Sequence, residues 1–381
     1  MANTHTTLAS LFPDIADAIR EKTGETGTLV ADDFPDIVRN LKGGFPNGTK
    51  WTNTNVAVNF IAGAKFFDGL WLTYDYNGIY YSTDGKIWTQ SFASSFIRDI
   101  KKSNGLFVGI GGRGAYYSTD GITWTASNRT ANTWHLCTNG TIWVAYDENN
   151  GVSYSTDGKT WVGSNYTNKD VIDIYFANSV WIILTPTRGL YYSTDGKTWT
   201  QSNVTSGMFN YVRYANGVYV ASLTAKGVTY YSTDGKTWIE NDPINGKCDN
   251  FYYANGLWQL YESDYTHYST DGKTWTKSNG YNFDDVQYAN GIWHGQYGRY
   301  YSTDGKTWTR SDGIGTYMKA LCYANGVWVA SDGYNIYYSV DGKNWTLSQT
   351  NDFLIKSITH ANGIWVGWSN KALAYSVTWE P

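Results

Sequence analysis

A short motif that returns throughout the 381 residues constrains the fold of this chain more than any other feature. In its commonest form the motif reads Tyr-Ser-Thr-Asp-Gly-Lys-Thr-Trp, and we name it the box. Successive box tryptophans lie 33 to 39 residues apart, a period that indicates a repeat architecture. The eight box aspartates are Asp84, Asp120, Asp157, Asp195, Asp234, Asp271, Asp304 and Asp341. The eight box tryptophans are Trp88, Trp124, Trp161, Trp199, Trp238, Trp275, Trp308 and Trp345.

A second signal, of the form Ala-Asn-Gly-x-Trp, stands ahead of each box and occurs nine times in strict or looser versions. Each repeat then predicts four strands, named A to D. The Asn-Gly pair joins strands A and B as a two-residue hairpin, because these residues tolerate positive φ. A variable loop leads to strand C, and the Asp-Gly pair of the box leads to strand D. Four strands in about 36 residues is the size of a propeller blade.

The two ends of the chain carry incomplete copies of the repeat. A degenerate ninth box reads Tyr375-Ser376-Val377-Thr378-Trp379. At the other end, only the last strand of a unit is recognisable, in Gly48-Thr49-Lys50-Trp51-Thr52. We expect the strand at Trp51 to complete the blade that begins near Leu354, which would leave no open sheet edge. The prediction is therefore an all-β, nine-bladed β-propeller of four-stranded antiparallel blades over residues 45–381. Eight blades is the alternative, if the unit at residues 56–90 packs irregularly.

The box closely resembles the Asp-box of sialidase-like propellers, which is written Ser-x-Asp-x-Gly-x-x-Trp. It departs from that pattern because glycine follows aspartate directly, so the turn is one residue shorter. The resemblance covers residues 51–379 and implies a propeller fold. In that superfamily the box is a structural hairpin away from the active site. We therefore expect the eight box aspartates to serve their own turns rather than catalysis.

Residues 1–44 differ from the repeats and predict a short α-helical attachment segment. Apolar residues from Leu8 to Lys22 follow helical spacing, and a second short helix is expected from Asp32 to Leu41. The phrase Ala18-Ile19-Arg20-Glu21-Lys22-Thr23-Gly24, followed by Asp33-Phe34-Pro35-Asp36-Ile37, resembles segments of tail and fibre proteins of phages and prophages of Gram-positive bacteria. This resemblance implies that the segment joins the propeller to other tail proteins or to sister subunits of a homo-oligomer. A helical cap over the propeller is the alternative.

Composition argues against several classes of partner. The formal net charge is −4 and no block of Lys or Arg stands out, which disfavours nucleic acid. No apolar run is long enough for membrane insertion, and no secretory signal precedes the repeats, so we expect synthesis in the bacterial cytoplasm. Cys137, Cys248 and Cys322 form no disulfide framework, and neither they nor the histidines show metal-ligand spacing. We predict no metal and no cofactor.

The sequence shows no convincing catalytic constellation, so we predict that the protein is not an enzyme. A sialidase-like enzyme would need an arginine cluster, a Tyr–Glu pair and an Asp acid/base, and the Phe-Arg-Ile-Pro motif of that family is absent. Phe96-Ile97-Arg98-Asp99 is at best a poor relic of it. Other glycosidases need two facing carboxylates. Asp147-Glu148, or Glu262 with Asp264, could supply a pair, although acidic loops of this kind are common.

The loops of the repeat offer a better candidate for function. The A–B and C–D turns share one face of a propeller and are nearly uniform here, whereas the B–C and D–A loops share the other face and differ in every unit. Varied loops on a rigid scaffold are where recognition usually occurs, although loops also drift without function. Trp134 and Trp368 fall outside the tryptophan pattern. We predict a ligand-binding face with these aromatic platforms and charged donors: Trp134, Trp368, Tyr76, Tyr265, Tyr297 and Tyr334, with Arg113 and Arg188.

Together these features predict a phage or prophage tail-associated protein that recognises a bacterial surface glycan or other receptor. We expect to find it in a phage virion tail or a prophage-derived particle. A sialidase-like glycoside hydrolase or lyase acting on surface polysaccharide is one alternative. A purely structural tail component without a ligand is the other.

Overall fold

Nine four-stranded antiparallel sheets make up the computed structural model, and they form a nine-bladed propeller. The described residues run from 48 to 377, with gaps at 49, 57, 59–60, 94–95, 224–226, 242–247, 263–265, 280–282, 284 and 316–317. The predicted helical segment at residues 1–44 therefore lies outside the described residues, as do Trp379 and Tyr265. In the part of the chain that is described, no helix is long and apolar enough to cross a membrane.

Strands A of neighbouring blades contact one another, so they line the centre of the ring. They are β2 Gly63–Phe67, β6 Ile97–Ser103, β10 Thr133–Thr138, β14 Asp173–Ala177, β18 Phe209–Ala215, β22 Cys248–Ala254, β26 Val286–Ala289, β30 Ala320–Ala324 and β34 Ser357–Ala361. Strands B follow at β3 Leu70–Asp75, β7 Leu106–Gly111, β11 Trp143–Asp147, β15 Val180–Leu184, β19 Val218–Leu223, β23 Leu257–Glu262, β27 Ile292–Gly295, β31 Val327–Ser331 and β35 Ile364–Trp368.

The outer half of each blade consists of strands C and D. Strands C are β4 Gly78–Ser82, β8 Gly114–Ser118, β12 Gly151–Ser155, β16 Leu190–Ser193, β20 Val228–Ser232, β24 Thr266–Ser269, β28 Tyr300–Ser302, β32 Asn335–Ser339 and β36 Leu373–Val377. Strands D are β5 Thr89–Ala93, β9 Thr125–Ala126, β13 Val162–Gly163, β17 Thr200–Gln201, β21 Ile239–Glu240, β25 Thr276–Lys277, β29 Thr309–Arg310 and β33 Thr346–Thr350, with β1 Thr52–Asn53 completing blade 9. Blade 1 begins at β2.

The ring closes through the N-terminal strand, as predicted. Blade 9 has the strand order β1-β36-β35-β34, and Thr52 of β1 pairs with Tyr375 of β36. Side chains of blade 9, among them Val366 and Leu373, share a buried cluster with Trp71 and Trp88 of blade 1. Blade 1 is a regular four-stranded sheet, so the eight-bladed alternative is wrong.

The ninth box is assembled from both ends of the chain. Trp51 packs in a buried cluster with Val329 of blade 8 and Trp365 of blade 9, the place that a box tryptophan takes between blades. Its indole Nε1 donates to the carbonyl of Gly48 at 2.7 Å, just as Trp88 Nε1 donates to Gly85 at 3.1 Å. Trp51 therefore occupies the position of the ninth box tryptophan.

Within each box, the aspartate and the serine two residues before it organise the C–D turn. In blade 1, Asp84 Oδ1 accepts hydrogen bonds from the backbone N–H groups of Lys86 and Ile87, both at 2.9 Å. The Ser82 hydroxyl donates to the same oxygen at 2.9 Å and accepts from Gly85 N at 2.8 Å. The same Ser–Asp bond recurs in the other seven boxes. Each box aspartate thus serves its own turn.

Aromatic side chains fill the spaces between blades. The tryptophans of strands B are almost fully buried, and the box tryptophan of the same blade packs in the same cluster, together with side chains of a neighbouring blade. Apolar residues four positions before the hairpin asparagine are buried too, for example Ile174, Val212 and Phe251. Burying a tryptophan removes roughly 150–250 Å² from water, so these contacts dominate the packing of the ring.

A second inter-blade connection, which the sequence analysis missed, comes from the residue four positions after a box tryptophan. Asn128 Oδ1 accepts from Trp161 N at 2.7 Å, and its Nδ2 donates to Trp161 O at 3.2 Å, so the amide clamps the next blade's strand D. The same clamp joins Asn55 to Trp88, Asn165 to Trp199, Asn203 to Trp238 and Asn279 to Trp308. Gln349 makes it to Trp51, across the ring closure.

Candidate functional site

The two faces of the ring differ as predicted from the antiparallel topology. On the turn face, which carries the A–B hairpins and the boxes, the connections are nearly uniform, although the A–B loop of blade 3 is longer. Asn104 and Gly105, for example, have φ values of 48° and 75°, the left-handed pair that a tight hairpin requires. The B–C and D–A loops, which form the variable face, differ in sequence from blade to blade, although one hydrogen bond between the start of strand C and the D–A loop recurs in blades 2 to 4. The variable face is therefore the one on which we expect ligand contacts.

An aromatic and cationic stack runs across blades 1 to 3 on the variable face. The ring of Tyr76 stacks on Phe96, with centroids 4.2 Å apart and an interplanar angle of 17°. The guanidinium of Arg98 lies 5.0 Å from the Phe96 centroid and 3.9 Å from that of Trp134. Tyr76 is 49% exposed and Trp134 is 40% exposed. We name these four residues the ledge.

Arg98 holds the ledge together. Its Nη1 donates to Asn132 Oδ1 at 2.6 Å and to the carbonyl of Thr133 at 3.1 Å, which fixes the guanidinium beside Trp134. Partial burial lowers the pKa of Arg98, while Tyr76 and Glu148 act in the opposite direction. An arginine stays protonated in proteins, so the ledge carries a fixed positive charge between aromatic faces.

A buried ion pair lies next to the ledge. Arg129 Nη2 contacts Asp147 Oδ2 at 2.6 Å, and the side chains are only 4% and 0% exposed. Arg129 Nε also donates to Thr133 Oγ1 at 3.1 Å, directly before Trp134 in the chain. Asp147, one of the carboxylates considered above for a catalytic pair, is thus engaged in fixing the loop that carries Trp134. Removing either partner would leave an uncompensated buried charge.

A pocket of about 520 Å³ opens between blades 8 and 9 on the same face. Its lining includes Tyr334, which is 54% exposed, and two lysines. The backbone on one side is fixed, since Ile355 N donates to Gly333 O at 2.6 Å and Asn351 N to Tyr334 O at 2.8 Å. The lining residues are Tyr334, Asp352, Phe353, Leu354, Lys356, Ser369, Asn370, Lys371 and Ala372.

The predicted ligand-binding residues fall into separate places. Tyr76 and Trp134 belong to the ledge and Tyr334 to the pocket. Tyr297 and Trp368 are half-buried, and each packs against an inter-blade apolar cluster. Two arginines stand apart from both places: Arg113 is exposed in the B–C loop of blade 2, and Arg188 Nε pairs with Asp170 at 2.8 Å.

Several residues of these two places were not among the predicted ligand contacts. Phe96 and Arg98 were considered only as an imperfect match to a sialidase motif. Lys356 and Lys371 carried no pattern at all. Their roles depend on which loops of neighbouring blades meet, and that cannot be read along a single repeat.

A tyrosine–glutamate pair borders another pocket, of about 440 Å³, between blades 4 and 5. Tyr230 OH donates to Glu240 Oε2 at 2.5 Å. Partial burial, together with this carboxylate, raises the pKa of Tyr230 to about 12. Among the described residues that line this pocket there is no arginine.

The remaining reactive side chains are held in packing roles. Burial raises the pKa of Cys137 and of Cys322 to about 11, which suppresses their thiolates. Burial lowers the pKa of His294 to about 3 and that of His267 to about 4, so both are neutral at physiological pH. Among the residues that the structure describes, no group of three or more His, Cys, Asp or Glu could hold a metal ion.

The architecture is similar to that of solved structures with unrelated sequences. The computationally designed Ika8 protein matches 85% of this chain and 98% of its own at a TM-score of 0.54 and 9% identity. Sqt1 of Saccharomyces cerevisiae matches 88% of this chain and 100% of its own, also at 0.54 and 9%. Likeness at this identity shows the fold alone. No model of a protein family and no curated protein sequence matches the chain.

Proposed function

We propose that the protein binds a bacterial surface glycan through the variable face of its propeller, as a tail-associated component of a phage or prophage particle. The observation that carries this proposal is the ledge. Exposed aromatic rings stack on the apolar faces of sugar rings, and a fixed guanidinium between them supplies hydrogen-bond donors to hydroxyl groups. One stacked ring binds weakly, so useful avidity would come from several copies on one particle.

The positions of the chain ends support this orientation. Strand β36 runs toward the turn face and its last described residue is Val377, while β1 starts from the turn face just after Trp51. An attachment segment at residues 1–44 would therefore join the ring on the face opposite the ledge. Attachment on one face leaves the other face free to meet a cell surface.

Binding of labelled protein to cells of candidate hosts tests the proposal. Trp134→Ala removes one of the two exposed aromatic rings of the ledge, and we expect cell binding to fall at least tenfold. A matched control is the pair Lys159→Ala and Lys197→Ala on the turn face, where each lysine only covers a tyrosine of the preceding blade. Loss of cell binding in the control pair, with binding by Trp134→Ala unaffected, would indicate that recognition occurs on the turn face and would contradict the proposal.

The Tyr230–Glu240 pair is the one observation that favours a hydrolase or lyase as the second candidate. Such an enzyme would release reducing sugar from host wall polysaccharide, whereas a binding protein would leave the polymer intact. Glu240→Gln would abolish that release if the pair were catalytic. A component that neither binds cells nor cleaves polymer would instead be purely structural.

A further inference from the structure

The pocket between blades 8 and 9 has a different chemistry from the ledge. At about 520 Å³ it falls within the size range of small-ligand sites. Tyr334 and Phe353 give it an aromatic side, and Lys356 and Lys371 bring ammonium groups to its lining. The ledge, in contrast, combines aromatic rings with a single guanidinium.

The charges around this pocket favour an anion. Neither Lys356 nor Lys371 forms an ion pair with any described residue, and both are exposed at the lining. A third lysine, Lys319, lies close to Gly333 at the rim of the pocket. A Cβ atom built on Gly333 would lie 3.0 Å from the Nζ atom of Lys319. The carboxylates nearby are Asp352 in the lining and Asp332 in the blade 8 loop. Three lysines and two aspartates thus lie in or beside the pocket, in a chain whose overall net charge is −4.

One of those carboxylates, that of Asp332, is hydrogen-bonded within its own loop. Asp332 accepts hydrogen bonds from the backbone N–H groups of Tyr334 and Asn335, from the Asn335 amide and from the Tyr337 hydroxyl, at 2.8 to 3.3 Å. These bonds hold it in the B–C turn. Asp332 keeps its charge but is held in this turn, and Asp352 is the carboxylate in the lining itself.

The backbone that carries the lysines is fixed on both sides of the pocket. Lys356 N donates to Trp368 O at 2.8 Å, and Lys371 N donates to Ser369 Oγ at 3.3 Å within a tight turn. Binding therefore needs only the two lysine side chains to order, which keeps the entropic cost low.

We infer that this pocket is a second binding site, separate from the ledge, for a phosphate or carboxylate group carried on a sugar or polyol. The anion lies between the ammonium groups of Lys356 and Lys371, and the ring to which it is attached packs on Tyr334. Lysine acts as a mobile point charge toward either anion, so the pocket accepts both chemistries and the probes decide between them.

Calorimetric titration of the full chain with three probes tests this site. Glucose 6-phosphate carries the phosphate, methyl glucuronoside carries the carboxylate, and glucose is the neutral control. We expect saturable binding of at least one anionic probe, at least tenfold tighter than glucose. The pair Lys356→Ala and Lys371→Ala should weaken that binding at least tenfold. The turn-face pair Lys159→Ala and Lys197→Ala should leave it unchanged.

Failure of both anionic probes to bind, or undiminished binding by the variant that lacks Lys356 and Lys371, would overturn the second site. All substituted lysines are on the surface, and circular dichroism confirms that each variant is folded. Trp134→Ala should leave the probe titration unchanged, because the ledge lies on other blades. Loss of cell binding in that variant, with the titration intact, separates the outcome for the ledge from the outcome for this pocket.

Discussion

At the scale of single residues, the box aspartates show how a short motif shapes its own turn. Burial alone would raise the pKa of Asp157, but hydrogen bonds from Thr160 N, Lys159 N and the Ser155 hydroxyl outweigh it and lower the pKa to about 2. Asp120 behaves in the same way, with a pKa of about 2. The folded turn therefore stabilises the charged form of the box aspartates.

These lowered pKa values make stability depend on pH in the acid range. A carboxylate whose folded pKa lies below its unfolded value of about 3.9 contributes stability above that value, and the contribution is lost as pH falls toward 2. We expect the free energy of unfolding to decline between pH 4 and pH 2. The double variant Asp120→Asn and Asp157→Asn should show a shallower decline in urea unfolding measured across that range. A decline identical to that of the parent protein would contradict this account of the boxes.

At the scale of elements, the clamps explain how strands D, only two residues long in most blades, are held in place. In each clamp, a side-chain amide bonds both the backbone N–H and the backbone C=O of the box tryptophan in the next blade, as a neighbouring strand would do. The signal was present in the sequence, as Trp-Thr-x-Ser-Asn around residues 124–128 and 199–203. It was missed because asparagine after a strand is also an ordinary turn residue.

Removal of one clamp should weaken one inter-blade junction. Asn128→Ala leaves the backbone N–H and C=O of Trp161 without this partner, and we expect a loss of about 1–3 kcal/mol in the free energy of unfolding. Asn149→Ala, in an exposed loop, is the matched control and should change stability by less than about 0.5 kcal/mol. Thermal and urea unfolding measure both. Equal effects would show that the clamp does not contribute.

At the scale of the whole molecule, the ring depends on a strand from the far end of the chain. Repeats only a few dozen residues apart specify their own blades, but β1 and β36 are separated by most of the sequence. The incomplete copies at Gly48 to Thr52 and at Tyr375 predicted this closure correctly, because each half lacks what the other supplies. Blade number, strand order and the closing strand were all predictable from the repeat.

The candidate sites were predictable only in part. Tyr76, Trp134 and Tyr334 were identified because they break the repeat on the variable face. Arg98 was not, because its partners come from the next blade, and Lys371 was not, because the pocket that it lines is shared between two blades. Periodicity fixes which face a loop lies on, whereas the meeting of two loops depends on local backbone paths that no repeat encodes.

Closure by β1 should stabilise the ring as much as an internal box does. Trp51→Ala removes a buried indole between blades 8 and 9, and we expect a loss of about 3–5 kcal/mol. Trp199→Ala, in the box of blade 4, is the matched comparison and should cost a similar amount. Urea unfolding of both variants measures this. A negligible effect of Trp51→Ala, beside a large effect of Trp199→Ala, would mean that β1 does not seal the ring.

The central claim, that recognition occurs on the variable face, is tested most directly by hydrogen–deuterium exchange of the full chain with and without wall polymer from a bacterium whose cells it binds. The account predicts slowed exchange in peptides that cover Tyr76, Phe96 to Arg98 and Thr133 to Trp134, with unchanged exchange at the box turns. Protection confined to the A–B hairpins and the boxes, with the ledge unaffected, would contradict it.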